Sequence, residues 1–246
     1  MPRLSRLAHH LWIGAATCAL LIPLAVACGD ASESLGIGPP SAGAFGQADV
    51  FPECGALNQA CLSSGLNSPL AVGAKLGVGV NFKVAGNSGP PTTLMATRDD
   101  VLLVDGGVVD AVGTGIAAIL ILGPDGRVID FIHVWVAMAS ELRIIRYSDV
   151  GLAIGAVREE ATLLVGDELF VSVEAFDDSQ PLLGLFKATW TTDVLEADPE
   201  ATSDPVIVVD DIVFGWYRIV AREPGKIRLN VNALGLDKTL TLEVLP

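Results

Sequence analysis

Leu76, Val78, Val80, Phe82 and Val84 alternate with Gly77, Gly79, Asn81 and Lys83. A strict period of two puts every apolar side chain on one face, the pattern of a half-buried β-strand. Ile132, Val134 and Val136 repeat the pattern, as do Leu240, Leu242 and Val244. Turn signals stand between such runs: Ala85–Pro91, Asp105-Gly106-Gly107 and Gly123-Pro124-Asp125-Gly126. The last joins Ile116–Leu122 to Val128–Ala139 and predicts a hairpin, with Pro fixing φ and Gly permitting a positive one. No convincing amphipathic helix is visible beyond the N-terminal stretch. Many short strands separated by Gly/Pro turns predict an all-β sandwich or barrel.

The pattern also repeats itself. Leu70–Val80 and Leu163–Val173 share the frame Leu-x-Val-Gly-x-x-Leu-x-Val-x-Val, offset by 93. At the same offset Asp100-Val101-Leu102 matches Asp193-Val194-Leu195. Val109-Asp110-Ala111 and Gly115 match Ile219-Val220-Ala221 and Gly225, offset by 110. The extra residues fall in 196–215, an acidic loop insertion in the second copy. Ordered matches with one insertion predict two homologous domains, 67–147 and 148–246.

Each copy resembles the bacterial immunoglobulin-like group 2 domain. The resemblance rests on Val72-Gly73 feeding an alternating strand, then Val109-Asp110-Ala111, Gly115 and the closing strand Ile132–Val136. In the second copy it rests on Val165-Gly166, Trp190 followed by Asp193, Ile219-Val220-Ala221, Gly225 and Leu240–Val244. The first copy departs at Thr97, aligned with Trp190, so its core must be filled otherwise, by Leu94 or Met95. The resemblance implies two tandem Ig-like β-sandwiches of the kind used in surface adhesins and other envelope proteins. It implies no chemistry.

The N-terminus changes the picture. Arg3 and Arg6 precede 17 uncharged, mostly apolar residues, Leu11–Ala27. A basic start, a short apolar run and small residues at its end predict a signal peptide over 1–27. Leu24-Ala25-Val26-Ala27-Cys28-Gly29 resembles a bacterial lipobox, with Ala25 where Leu is commoner. That resemblance implies cleavage before Cys28 and diacylglycerol on its thiol. Each buried acyl methylene contributes about 0.8 kcal/mol, so two or three chains hold a protein that one barely holds. Residues 28–66, rich in Gly, Ser, Ala and Pro, predict a flexible tether. Within it, Cys54 and Cys61 predict a disulfide in an oxidising compartment, with metal binding the weaker alternative.

The chain carries a formal charge of −14. With 1–27 removed, 13 basic face 29 acidic side chains and no basic stripe is present. Such a surface repels phosphate backbones and anionic headgroups, so nucleic-acid binding is excluded and lipid on Cys28 would do the anchoring.

Candidate chemistry is sparse. His133 is the one histidine left after 1–27, on a strand with Phe131 and Trp135 on its face. No nucleophile-elbow motif surrounds any serine, so no triad is readable. Asp99-Asp100, Asp177-Asp178 and Asp210-Asp211 are paired acids near turns. Asp198, Glu200, Asp204, Asp210 and Asp211 form the weak calcium candidate, and otherwise solvated charge. Trp216 and Arg218 alternate with Tyr217 and Ile219, which predicts an outward pair suited to a contact surface. The link Tyr147–Arg158 contains Gly151 and Gly155 and predicts some hinge freedom. Together these features favour a non-catalytic envelope lipoprotein, on the outer membrane or cell surface, with Ig-like domains as spacer and adhesion module. Its partner would be an envelope or extracellular protein or a glycan. A periplasm-facing accessory subunit is the alternative, with a calcium- or carbohydrate-binding module behind it.

Overall fold

The computed structural model describes residues 37–54, 58–83, 89–148, 151–197, 207–213 and 215–246. Strands β1 (Ser41–Ala42), β2 (Ala48–Glu53), β4 (Lys75–Phe82), β7 (Val108–Ala111) and β6 (Leu102–Asp105) form one sheet in that order. Strands β3 (Leu70–Ala71), β9 (Val128–Ala137), β8 (Gly115–Leu122) and β5 (Thr93–Ala96) form a second. The same arrangement follows along the chain. One sheet has the order β11 (Ala153–Ala156), β10 (Glu141–Tyr147), β13 (Glu168–Asp177), β17 (Trp216–Ala221) and β16 (Ile207–Val213), with β14 (Gln180–Pro181) paired to β13. The other has the order β12 (Glu160–Leu164), β19 (Leu236–Leu245), β18 (Gly225–Ala233) and β15 (Thr189–Ala197).

Both halves therefore have the ABED/CFG order of an immunoglobulin sandwich. The opening strand is split between the two sheets: β2 and β10 pair antiparallel in one, while β3 and β12 run parallel to the closing strands β9 and β19 in the other. The predicted alternation sets the packing. Leu76, Val109, Ile119, Ile121, Ile132 and Val134 fill the first core, and Leu169, Val171, Ile219, Leu229, Val231 and Leu242 the second.

The repeat is legible in the backbone bonds. The Gly73 amide donates to the Ala111 carbonyl (2.7 Å), as Gly166 does to Ala221 (2.9 Å). Ala111 donates back to Ala74, as Ala221 does to Asp167, and Val72 donates to Ala137 as Val165 does to Leu245. The glycine is required because φ is +86° at Gly73 and +93° at Gly166, a region costly for side chains with a Cβ. The predicted hairpin at Gly123–Gly126 closes with the Gly126 amide donating to Gly123 and φ +76° at Gly126.

Several expectations are corrected. The match of Asp100–Leu102 with Asp193–Leu195 is not structural: Val101 and Leu102 are fully buried, whereas Val194 and Leu195 are exposed on β15. Trp190 lies opposite Val231 as Leu94 lies opposite Ile121, so Leu94 and not Thr97 is its counterpart. Leu94 packs against the first core, while Met95 is exposed. Of the 196–215 insertion, Ile207–Val213 is the regular strand β16, and 198–206 and 214 lie outside the described residues.

The domain boundaries also move. Glu141–Tyr147 belongs to the second sandwich, where Ile144 faces Val173 much as Val50 faces Val80 in the first. The Tyr147–Arg158 link is thus a hairpin at a sheet edge, Ile145 facing Ala156, rather than a hinge between domains. From Ser41 onward the 28–66 segment is no tether: β1 and β2 join the first sandwich and a short helix, α1 (Gln59–Ser64), follows. Glycine and serine abundance hid the inward period of Ala48 and Val50, both fully buried.

What holds this segment is Asp130, a fully buried carboxylate that accepts from the backbone amides of Phe45 and Gln47 (both 2.8 Å), Phe131 (2.9 Å) and Ala48 (3.0 Å). Burial acts to raise its pKa, but the four amides overcome that and hold it below the usual carboxylate range. A Cβ on Gly43 would collide with the carboxylate. Because the folded pKa is depressed, this stabilisation is present above the unfolded value of about 3.9 and is lost as pH falls through the folded one. We expect Asp130→Ala to cost about 3–5 kcal/mol, by stranding four amides, and to flatten the acid limb of a pH–stability curve measured by denaturant unfolding.

Candidate functional site

The feature that dominates the structure lies where the two sandwiches meet. Leu182 and Leu183 follow β14, and their side chains point to opposite sides. Leu182 is buried in the second core and Leu183, with no exposure at all, in the first. In return Ala71 and Ala74, from the β3–β4 turn, are buried in the second core. The backbone seals the exchange. Leu183 donates to Pro69 (2.7 Å) and accepts from Ala71 (3.0 Å), while Lys75 and Leu185 exchange both their bonds (2.9 and 2.7 Å). Gly184 sits between them at φ +109°, and a Cβ there would stand 2.6 Å from that of Ala74. No other residue fits without moving one sandwich off the other.

The cysteine loop adds a second tie. Cys54 and Cys61 are bonded, with Cα atoms 5.5 Å apart, and both are fully buried in the first core. Asn58 caps α1 by accepting from the Cys61 amide (2.8 Å), and its own amide group donates to the Gly184 carbonyl (3.3 Å). A loop this short contributes about 2 kcal/mol by the chain-entropy argument, and here it also presents α1 to the second sandwich. The next residue, Gln59, donates its backbone amide to Glu174 of β13.

Glu174 and Ser172 lie on the outward face of β13, yet both are buried. The Tyr147 hydroxyl donates to Glu174 (3.1 Å), the Ser172 hydroxyl donates to that of Tyr147 (3.3 Å), and Gln59 reaches both Tyr147 and Glu174. Burial pushes the Glu174 carboxyl above its ordinary range, against the pull of the Tyr147 hydroxyl and the Gln59 amide. Burial, then the carboxylate beside it, pushes the Tyr147 phenol up as well. Alternation alone would expose this acid, and no signal in the sequence marks it. Asp130, by contrast, shares the inward register of Ile132 and Val134, a signal open to sequence reasoning.

The residues singled out from sequence are placed as follows. Cys28 lies outside the described residues, as do Asp198, Glu200 and Asp204. Asp210 binds Arg218, Oδ2 to Nη2, at 2.8 Å, and the side chain of Asp211 is not described. Among the described residues no three His, Cys, Asp or Glu are grouped to hold a metal ion. Arg218 also approaches Glu168 (3.6 Å). Trp216 is half-buried and tilts against Phe170, ring centroids 5.8 Å apart. Its indole is thus engaged by the second sandwich itself. His133 and Trp135 stand exposed on the outward face of β9, with the Phe131 ring edge-on to His133 at 5.4 Å.

No protein-family profile matches the chain, and no curated protein matches it. Solved structures that resemble it include the S-layer protein SbsC domains 4 and 5 (TM-score 0.28, 13% identity, covering 63% of this chain and 77% of that one). They also include the Yersinia pseudotuberculosis adhesin InvE (0.33, 12%, 72% and 57%) and the Escherichia coli adhesin FdeC (0.29, 14%, 85% and 65%). The chain thus spans less than two thirds of either adhesin structure. Strand order, rather than these distant likenesses, defines this protein as two immunoglobulin-like β-sandwiches in tandem. No helix among the described residues is long and apolar enough to cross a membrane.

The buried acid yields a test. A carboxyl whose folded pKa is raised stabilises the fold below its unfolded pKa, and that contribution is lost as pH rises through the folded one. Glu174→Gln keeps an acceptor without the charge. Its melting temperature relative to wild type should therefore climb as pH rises above the unfolded value of about 4.3, followed by circular dichroism. A constant difference as pH rises would show that the folded carboxyl ionises as readily as the unfolded one, so that its pKa is not raised.

Proposed function

We propose that this protein is a lipid-anchored envelope protein whose two domains, of the bacterial immunoglobulin-like group 2 type, act as a rigid spacer carrying a contact surface away from the membrane. The junction carries this reading. A spacer transmits position only if its modules hold a fixed angle, and domains joined by a free linker do not. Here residues of each sandwich complete the core of the other, with backbone bonds and the α1 tie across the seam. The lipobox-like segment ending at Cys28 supports the anchor, and the repeated Val-Gly turns support the domain type.

The test has two arms. Spin labels at Asp125→Cys in the first sandwich and Glu243→Cys in the second, both exposed, should give one narrow distance distribution in the full chain. Adding Leu183→Ala, a core truncation worth about 2–5 kcal/mol, should broaden it. A broad distribution in the parent would sink the spacer. For the anchor, metabolic labelling with a clickable fatty acid should mark the wild-type protein and fail on Cys28→Ser, which should leave the membrane fraction.

A further inference from the structure

The outward face of the first sandwich carries a trough that the junction does not use. One end is a depression of about 460 Å³ lined by Leu66, Asn67, Ile116, His133 and Trp135. A smaller one of about 220 Å³ continues from it along β9, sharing Leu66, Asn67 and His133 and adding Ser41 and Phe131. Trp135 is 60% exposed, and its cross-strand neighbour Ile116 is 47% exposed. The other end is bordered by Phe131, which meets the exposed Phe45 ring edge-on at 5.3 Å.

Three observations narrow what could lie there. Among the described residues no carboxylate, ammonium or guanidinium lines either depression, in a chain with a formal charge of −14. A phosphate, sulfate or charged peptide side chain would find no counter-charge among them. The polar groups present are a hydroxyl, an amide and an imidazole, set between aromatic rings. The Ser41 hydroxyl oxygen is shielded from solvent and has no partner among the described residues. A buried polar atom without a partner is costly, and an acyl chain laid over it would leave it so. A ligand that offers neutral hydroxyls to Ser41, Asn67 and His133 and an apolar face to the Trp135 indole satisfies all of these together. The combined volume lies in the range of small-ligand sites.

We propose that this trough is a binding site for a neutral saccharide, with Trp135 as the stacking platform and Ser41, Asn67 and His133 as hydrogen-bonding groups. The assignment does not depend on the anchor or on rigidity, so its failure and theirs are separable. The test is calorimetric titration of the full chain with maltotriose, cellotriose and tri-N-acetylchitotriose, alongside tryptophan fluorescence. At least one should bind saturably with a millimolar Kd or better and perturb the fluorescence. Trp135→Ala should then weaken binding at least about tenfold and Asn67→Ala about threefold or more, with melting temperatures unchanged because both side chains are exposed. The proposal is overturned if none of the three binds up to about 10 mM. It is equally overturned if binding survives Trp135→Ala, or if neutral peptides compete for the trough and sugars do not.

Discussion

Two adjacent leucines, whose side chains point to opposite sides of one extended segment, hold this molecule together. Leu182 completes one core and Leu183 the other. Because successive side chains of an extended chain point to opposite sides, a single stretch can serve both sandwiches only if it runs along the seam. The bonds to Pro69, Ala71 and Lys75 keep it there. Gly184 allows the backbone to approach Ala74 closely enough for the cores to meet. Loss of this segment would open two cores at once. The domains are therefore coupled in stability as well as in orientation, unlike modules joined by a polar linker.

The cysteine loop extends the same logic. Its sulfurs belong to the first core, but its cap residue Asn58 and the first helical residue Gln59 face the second sandwich. The consequence is a buried acid, Glu174, on a strand face that would otherwise be wet. An uncompensated buried carboxylate is expensive, and the donors from Tyr147 and Gln59 offset part of the cost. The first sandwich uses the opposite device in Asp130, where four backbone amides make the charged form the favoured one. One acid thus stabilises its domain when ionised and the other when protonated.

The outer face of β9 and β8 takes no part in these ties. Among the described residues an exposed indole, an orphaned hydroxyl and a trough lined by no charged side chain give this surface a composition that differs from the acidic remainder. Trp216 and Arg218, the pair that alternation turns outward on β17, are instead occupied by Phe170, Asp210 and Glu168.

By itself the sequence determined the repeating unit. Period-two alternation, the Val-Gly turns at 72–73 and 165–166, and the Gly-Pro-Asp-Gly hairpin are local rules. A strand's inward face and a turn's positive φ depend on neighbours a few residues away. The same rules misplaced Thr97 opposite Trp190, because a spaced match cannot tell a buried Val101 from an exposed Val194. Tertiary structure alone decided that 41–54 and 58–67 are folded, that β10 opens the second sandwich, and that Leu183 crosses into the first. Each depends on partners 30 to 130 residues away: Asp130 for the loop before β2, Phe176 and its neighbours for β10, Pro69 for Leu183. Composition and periodicity carry no information about pairing over such separations. The trough at Trp135 belongs with them, since Ser41, Asn67 and His133 meet only once the two sheets have closed.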